Sequence, residues 1–174
     1  MKLPALAIVI AASASLAGAA QAQFGGNSTS GIGISSDGSN TVREACKTEL
    51  RGRVEITQDQ KRLRANSIDI FSAKRADKKA CGSDVDRMEA SGDVFYVTPL
   101  QKVRGDKAIY VAAAKTITIT GNVVVTSEDG VAQTNRLVLN TETNDAQMGD
   151  ANAATGQRVR AVIYPNQKTA APKP

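Results

Sequence analysis

Three stretches decide the fold once they are set one above another: GRVEITQDQKRLRANSIDIF at residues 52–71, GDVFYVTPLQKVRGDKAIYV at 92–111 and GNVVVTSEDGVAQTNRLVLN at 121–140. Each opens on a glycine, and the residues after it agree position by position without a gap. Two places on stand Val54, Val94 and Val123, and four places on Ile56, Tyr96 and Val125. Fourteen places on stand Asn66, Asp106 and Asn135, and eighteen places on Ile70, Tyr110 and Leu139. The chain is a repeat.

The repeat is made of β-strands. Val, Ile, Thr and Tyr dominate, and apolar residues alternate with polar ones, as in Arg53-Val54-Glu55-Ile56-Thr57 and again in Arg62-Leu63-Arg64-Ala65. Alternation of this kind marks a half-buried strand, and no stretch keeps a period of 3.6. Turn residues divide each unit: Gln58-Asp59-Gln60, Pro99 and Glu128-Asp129-Gly130. A unit is therefore a strand, a turn and a return strand. A piece of about 29 residues cannot bury its own apolar face and must stack on its neighbours. The expected fold is an all-β stack of antiparallel strands.

A fourth copy starts at Gly149 and decays. The first interval between glycines is longer than the others, and the excess falls on Ala76-DKKACGSDVD, whose charges, Gly and Ser read as an inserted loop. By parity the inward set is Val54, Ile56, Ile68 and Ile70, then Val94, Tyr96, Ala108 and Tyr110, then Val123, Val125, Leu137 and Leu139. A sealed core and an open apolar groove use the same residue types, and pattern leaves both open.

The ends divide simply. Residues 1–22 read as a secretory signal: Lys2, an apolar run from Leu3 to Ala17, then Ala20-Gln21-Ala22 as the small-x-small cleavage pattern. The run is short for a membrane anchor and is broken by Gly18. Residues 23–30 are a flexible leader, 31–165 the β domain and 166–174 a disordered tail, with Pro165 ending the last alternating run. Export places Cys46 and Cys81 in an oxidising compartment, where an even pair without CxxC spacing reads as one structural disulfide.

Composition removes most enzyme designs. Among 174 residues there is no His and no Trp, and only two Cys. That excludes histidine-based triads, imidazole bases, four-thiolate zinc and iron–sulfur clusters. Asp69, Asp93 and Asp106 are single acids at scattered positions with no nucleophile beside them, so the chain is read as no enzyme and as having no cofactor or metal. The net charge of +5 gathers between Arg51 and Lys79, where nine Lys/Arg face four Asp/Glu. Phosphates or acidic partners would suit that face, and so would plain solvent. Nucleic acid is set aside, because the chain is exported and no aromatic residues are interleaved with the charges.

The aligned stretches resemble the LptA/OstA family of periplasmic lipopolysaccharide-transport proteins. The likeness runs from about Ile32 to Gln167 and is carried by Ile34-Ser35-Ser36-Asp37, Gly121-Asn-Val-Val-Val-Thr126, Arg104-Gly-Asp-Lys-Ala-Ile-Tyr110 and Arg158-Val-Arg-Ala-Val-Ile-Tyr-Pro165. It implies an open β-jellyroll with an apolar interior, in the periplasm, carrying lipopolysaccharide from an inner-membrane exporter to an outer-membrane translocon. It implies partners as well: an LptC-like inner-membrane protein, an LptD-like outer-membrane protein and further copies of the chain, head to tail. These would join by strand augmentation through the end strands, at Ile32 and Ile34 on one side and Val159, Ala161 and Ile163 on the other. The inward set then becomes the set of candidate lipid contacts. The Cys pair, the insertion and the decayed fourth copy depart from the family pattern. The alternative is a structural or adhesive envelope repeat protein with a sealed core and no lipid.

Overall fold

A computed structural model describes residues 30–75, 80–149 and 158–165. The expected signal segment, residues 23–29 of the leader and the tail 166–174 lie outside the described residues. Ten strands form one sheet: β1 Gly33–Ser35, β2 Gly38–Val42, β3 Lys47–Gln58, β4 Lys61–Lys74, β5 Cys81–Val97, β6 Gln101–Val111, β7 Thr116–Ser127, β8 Gly130–Asn140, β9 Ala146–Met148 and β10 Arg160–Ile163. All pairings are antiparallel, and the order is β1-β3-β4-β5-β6-β7-β8-β10. β2 also pairs with β3, and β9 with β8. The sheet thus has eight lanes, and each outermost lane is split into two short strands. The fold is all-β and open: β1 and β10 end the sheet and do not pair with each other.

The strands connect by tight turns where expected. β3 passes to β4 through Asp59 and Gln60, β5 to β6 through Thr98, Pro99 and Leu100, and β7 to β8 through Glu128 and Asp129. Asp59 takes the left-handed conformation, φ 52°, which a two-residue hairpin with the sheet's own twist requires.

The repeat glycines sit elsewhere than expected. Gly52, Gly92 and Gly121 do not start the units; each lies in mid-strand at a β-bulge, whereas Gly149 follows the end of β9. Opposite Arg51 and Val54 stand Ser67 and Ala65, so β3 carries one residue more than its partner. β5 does the same at Ser91/Val94 and β7 at Thr120/Val123. Gly92 and Gly121 have φ of 78° and 77°, and the residue after each, Asp93 or Asn122, is also left-handed. Only glycine adopts the first of these without strain. Space closes the position too. A Cβ on Gly92 would lie 2.7 Å from Asn66 Nδ2, and one on Gly121 would collide with Asp106. The Asn/Asp fourteen places into one unit is thus the residue packed on the glycine of the next. Asp37 plays that part against Gly52.

The bulge bends every lane and leaves it in two halves. One face of the sheet is almost completely dry: Leu50, Val54, Ile56, Leu63, Ile68, Met88, Val94, Tyr96, Ile117, Ile119, Leu137 and Leu139 are each no more than 2% exposed. No helix or second sheet among the described residues covers this face. A dry face without a covering layer must cover itself, so the halves on either side of the bulge line fold toward each other. A direct tie agrees: Lys61 Nζ, at the β3–β4 turn, donates to the Thr141 carbonyl beyond the far end of β8, 2.9 Å away.

The inserted segment is also corrected. Residues 76–79 are outside the described residues, but Cys81 to Asp86 are strand and not loop, forming the first part of β5. Ser72 pairs with Val85 and Lys74 with Cys81, across two register shifts. The insertion lengthens a hairpin. Gly, Ser and Asp made it look like a loop because they are poor strand formers. The open backbone row of Ser72–Lys74 gives their N–H and C=O groups partners nonetheless. Cys81 is bonded to Cys46, which follows a 3-10 turn at Arg43–Ala45 between β2 and β3. The bridge ties the corner between β2 and β3 to the start of β5, two lanes beyond β3.

Candidate functional site

All twelve residues of the expected inward set lie on the dry face: Val54, Ile56, Ile68, Ile70, Val94, Tyr96, Ala108, Tyr110, Val123, Val125, Leu137 and Leu139 are buried in one continuous cluster. The structure adds Leu50, Leu63, Ala65, Met88, Ala90, Val103, Ile117 and Ile119 to it. These fall two and four places before a repeat glycine, or eleven and thirteen after it. The alternation continues through the glycine to Leu50, Met88, Ala90, Ile117 and Ile119, whereas Leu63, Ala65 and Val103 are one out of step, because the return strand lacks the bulge's extra residue.

The face is apolar from one outermost lane to the other, with few polar intrusions. Two are phenols. Burial and the neighbouring Tyr110 push the Tyr96 hydroxyl up to about 12, well above its ordinary 10.0. A third is Gln58, at the end of β3 and 2% exposed. Its Nε2 donates to the Ser30 carbonyl, 2.9 Å away. Its Oε1 has no hydrogen-bond partner among the described residues. Sequence reasoning assigned Gln58 to a turn and missed it, because a polar residue at a turn carries no signal of burial. Near it, burial holds the Lys61 ammonium below the usual lysine range against the opposing pull of Asp59.

The outer face is polar and largely self-neutralising. Lys47 and Arg51 pair with Asp69 at 2.9 and 2.6 Å, and Lys47 with Glu49 at 2.7 Å. Burial would raise the Asp69 carboxyl, but its hydrogen bonds with Lys47 and Arg51 hold it below the usual range. Arg53 pairs with Asp37, Arg62 and Arg64 with Glu55, and Arg104 with Asp93. Most arginines in the basic stretch from Arg51 to Lys79 are thus matched with acids. Exposed pairs of this kind contribute at most about 1 kcal/mol each and leave little free charge for a phosphate. Asp69, Asp93 and Asp106, the scattered acids, are occupied too, the last by the Asn122 amide at 3.1 Å. Among the described residues no three His, Cys, Asp or Glu side chains gather as a metal site.

The end lanes present unpaired backbone. Ile34 is 52% exposed and Ile163 76%. Val159 and Ala161 are exposed as well, whereas the Ile32 side chain packs against the core. β10 covers Arg160–Ile163, shorter than the expected Arg158–Tyr164. The expected first strand, Ile32 to Ser36, contracts to β1 and is followed by β2, a strand that its Gly-Ser-Asn composition hid. No helix among the described residues is long and apolar enough to cross a membrane.

Residues 33–145 match the family described as LptA/(LptD N-terminal domain) LPS transport protein. The chain is 27% identical to an uncharacterized protein of Rhizobium meliloti (strain 1021), over 94% of its own length and 91% of the relative's. Its fold is that of LptH, the LptA-homologous periplasmic component of the lipopolysaccharide transport device of Pseudomonas aeruginosa. The TM-score is 0.66 at 17% identity, covering 78% of this chain and 96% of LptH.

Proposed function

The chain belongs to the LptA/(LptD N-terminal domain) family of LPS transport proteins, and from that premise we propose that it is a periplasmic bridge for lipopolysaccharide. The lipid's acyl chains travel along the dry inner face, from an inner-membrane exporter toward an outer-membrane translocon. Neighbouring proteins join through the end lanes: an LptC-like protein on one side, an LptD-like protein on the other, and further copies of the chain head to tail. The chemistry asked of the protein is burial and release of hydrocarbon, with no bond made or broken, and each buried CH₂ contributes about 0.8 kcal/mol.

The observation that carries this reading is the continuity of the apolar face between two open end lanes. A carrier needs both. The face binds without chemistry, and an unpaired strand edge lets the face of one protein continue into the next by strand augmentation. Such an edge is otherwise a liability that proteins block.

A second reading has its own observation. The inner residues are dry in the isolated chain, Ile56, Ile119 and Leu137 fully so, as a sealed structural core would be. The two readings part over whether the folded-back halves separate to admit lipid. Photocrosslinking in cells from a probe at Ile56 or Val125, followed by immunoblotting for lipopolysaccharide, decides between them. The carrier gives adducts at these positions and none at outward Glu55. A folded, exported protein with no adduct at either inner position is the structural repeat protein.

A further inference from the structure

The turn between β3 and β4 is held from both sides by segments distant in the chain. On one side the Gln58 amide donates to the Ser30 carbonyl, 2.9 Å away. On the other the Lys61 ammonium donates to the Thr141 carbonyl, also at 2.9 Å. Gln58 and Lys61 are opposite each other at the last rung of the hairpin. The two fastenings differ in kind. Thr141 is fixed, its amide and hydroxyl both bonded to the Lys115 carbonyl. Ser30 belongs to no strand; it is an exposed bend just ahead of β1. Ile32 reaches back from this segment to pack on the core, between Gly31 and Gly33. A Cβ at Gly31 would meet nothing within 4 Å, so the backbone there has room to reorient.

We propose that the β3–β4 turn is a flap on the rim of the dry face, and that a strand docking beside β1 opens it. Gln58 is the part that responds. It is 2% exposed, and its Oε1 has no hydrogen-bond partner among the described residues. Its burial therefore rests on the bond from its Nε2 to Ser30. Once Ser30 is drawn away, both ends of the amide stand unpaired where water does not reach. A buried amide with neither end paired is strongly disfavoured. The side chain then moves out to water and takes the turn with it.

The docked strand supplies the pull. β1 pairs with β3 on one side only, and its Ile34 is 52% exposed, so the other side of the first lane fits an extended segment. A partner strand that runs past Gly33 holds Ser30 to Ile32 extended, and the Ser30 carbonyl leaves Gln58. Docking and opening become one event, and the apolar face opens only where another protein already adjoins it. This deepens the carrier reading and rests on it for what passes the flap, but not for the flap itself.

The test is the rate at which the full chain takes up the apolar dye N-phenyl-1-naphthylamine, with and without a peptide of residues 158–165 as the docking strand. ¹⁵N NMR of the backbone amides of Gly33–Ser35 reports pairing. The peptide is expected to shift these amides and to speed uptake about tenfold, the worth of one hydrogen bond. Two variants should part in opposite directions. Q58E cannot donate to Ser30 and carries a charge that seeks water, so it takes up dye fast without the peptide. Q58M leaves nothing unpaired when Ser30 departs, so it stays slow with the peptide or without it, and it carries the test alone if Q58E does not fold. Uptake by Q58M that speeds with the peptide as in the wild type overturns the proposal. So do shifted β1 amides with unchanged wild-type uptake, and so do β1 amides that the peptide leaves unshifted. The Ile56 crosslink to lipopolysaccharide separates the two readings. An adduct with uptake indifferent to the peptide removes the flap alone; peptide-driven uptake without an adduct removes the carrier and leaves the flap.

Discussion

The ammonium of Lys61 and the carbonyl of Thr141 lie 2.9 Å apart, although 80 residues separate them in the chain. Lys61 begins the second full lane, at the turn end, and Thr141 follows the last long lane at the opposite end. Thr141 is itself buried, 2% exposed, and its amide and hydroxyl both bond the Lys115 carbonyl. The contact therefore joins the two folded-back halves of the sheet at one point of their rim.

Removing that tie should loosen the closure. Lys61→Met deprives the Thr141 carbonyl of its donor and is expected to cost about 1–2 kcal/mol in urea unfolding. Uptake of an apolar dye by the native protein should rise with it. If stability and dye binding both stay at wild-type values, the halves are held together elsewhere.

The bulge glycines should be intolerant in proportion to what opposes them. Gly121→Ala forces a left-handed alanine against Asp106 and is expected to cost about 2–3 kcal/mol, from strain and collision together. Asp106→Gly in the same chain removes the collision and should restore part of the loss. A double variant no more stable than Gly121→Ala would show that conformation alone sets the cost.

Alkaline unfolding should be governed in part by Tyr96. Its hydroxyl ionises at 10.0 when exposed and at about 12 in the fold. A raised acid stabilises the fold fully below pH 10, and the contribution is lost as pH rises through 12. The two-unit difference corresponds to roughly 2–3 kcal/mol at most. Tyr96→Phe should keep its stability over that range while the wild type loses it, followed by unfolding at fixed pH steps. Parallel curves would mean that the phenol ionises without strain in the native protein.

The Cys46–Cys81 bridge closes a ring with a sequence separation of 35. Reduction, or Cys46→Ala with Cys81→Ala, is expected to lower stability by about 3–4 kcal/mol through the freed chain of the unfolded state. Thermal unfolding with and without reductant measures it, and thiol alkylation before reduction should label neither Cys. Two labelled thiols in the exported protein would remove the bridge and with it this stabilisation.

The lanes, the turns and twelve of the twenty core residues of the dry face were legible because alternation at period 2 survives in a single sequence. Val54, Ile56, Tyr96 and Leu139 could be assigned by counting from a glycine. Leu50, Met88, Ile117 and Ile119 keep the same parity through the glycine and needed only a count backward from it; Leu63, Ala65 and Val103 could not be reached by parity, since the return strand lacks the bulge's extra residue and falls one out of step. The glycines announced a repeat without saying that they mark its bends. Cys81 to Asp86 shows the opposite failure: composition spoke for a loop, and a neighbouring open backbone row overruled it. Gln58 was out of reach, because burial of a polar side chain is set by residues distant in the chain. Whether lipid enters the face is a property of its opening, which alternation does not encode.

The bulge register has a consequence for length. Apart from the Lys61–Thr141 tie, each unit is joined to the units beside it through one strand pairing and one Asn/Asp-on-glycine contact. Duplicating residues 92–120 would supply both contacts anew, though Lys61 and Thr141 would stand further apart. It would add two lanes, about 10 Å of width at the spacing of paired strands. The protein is in this sense a ruler graduated in hairpins, and its span is set by how many times the gene repeats one short paragraph.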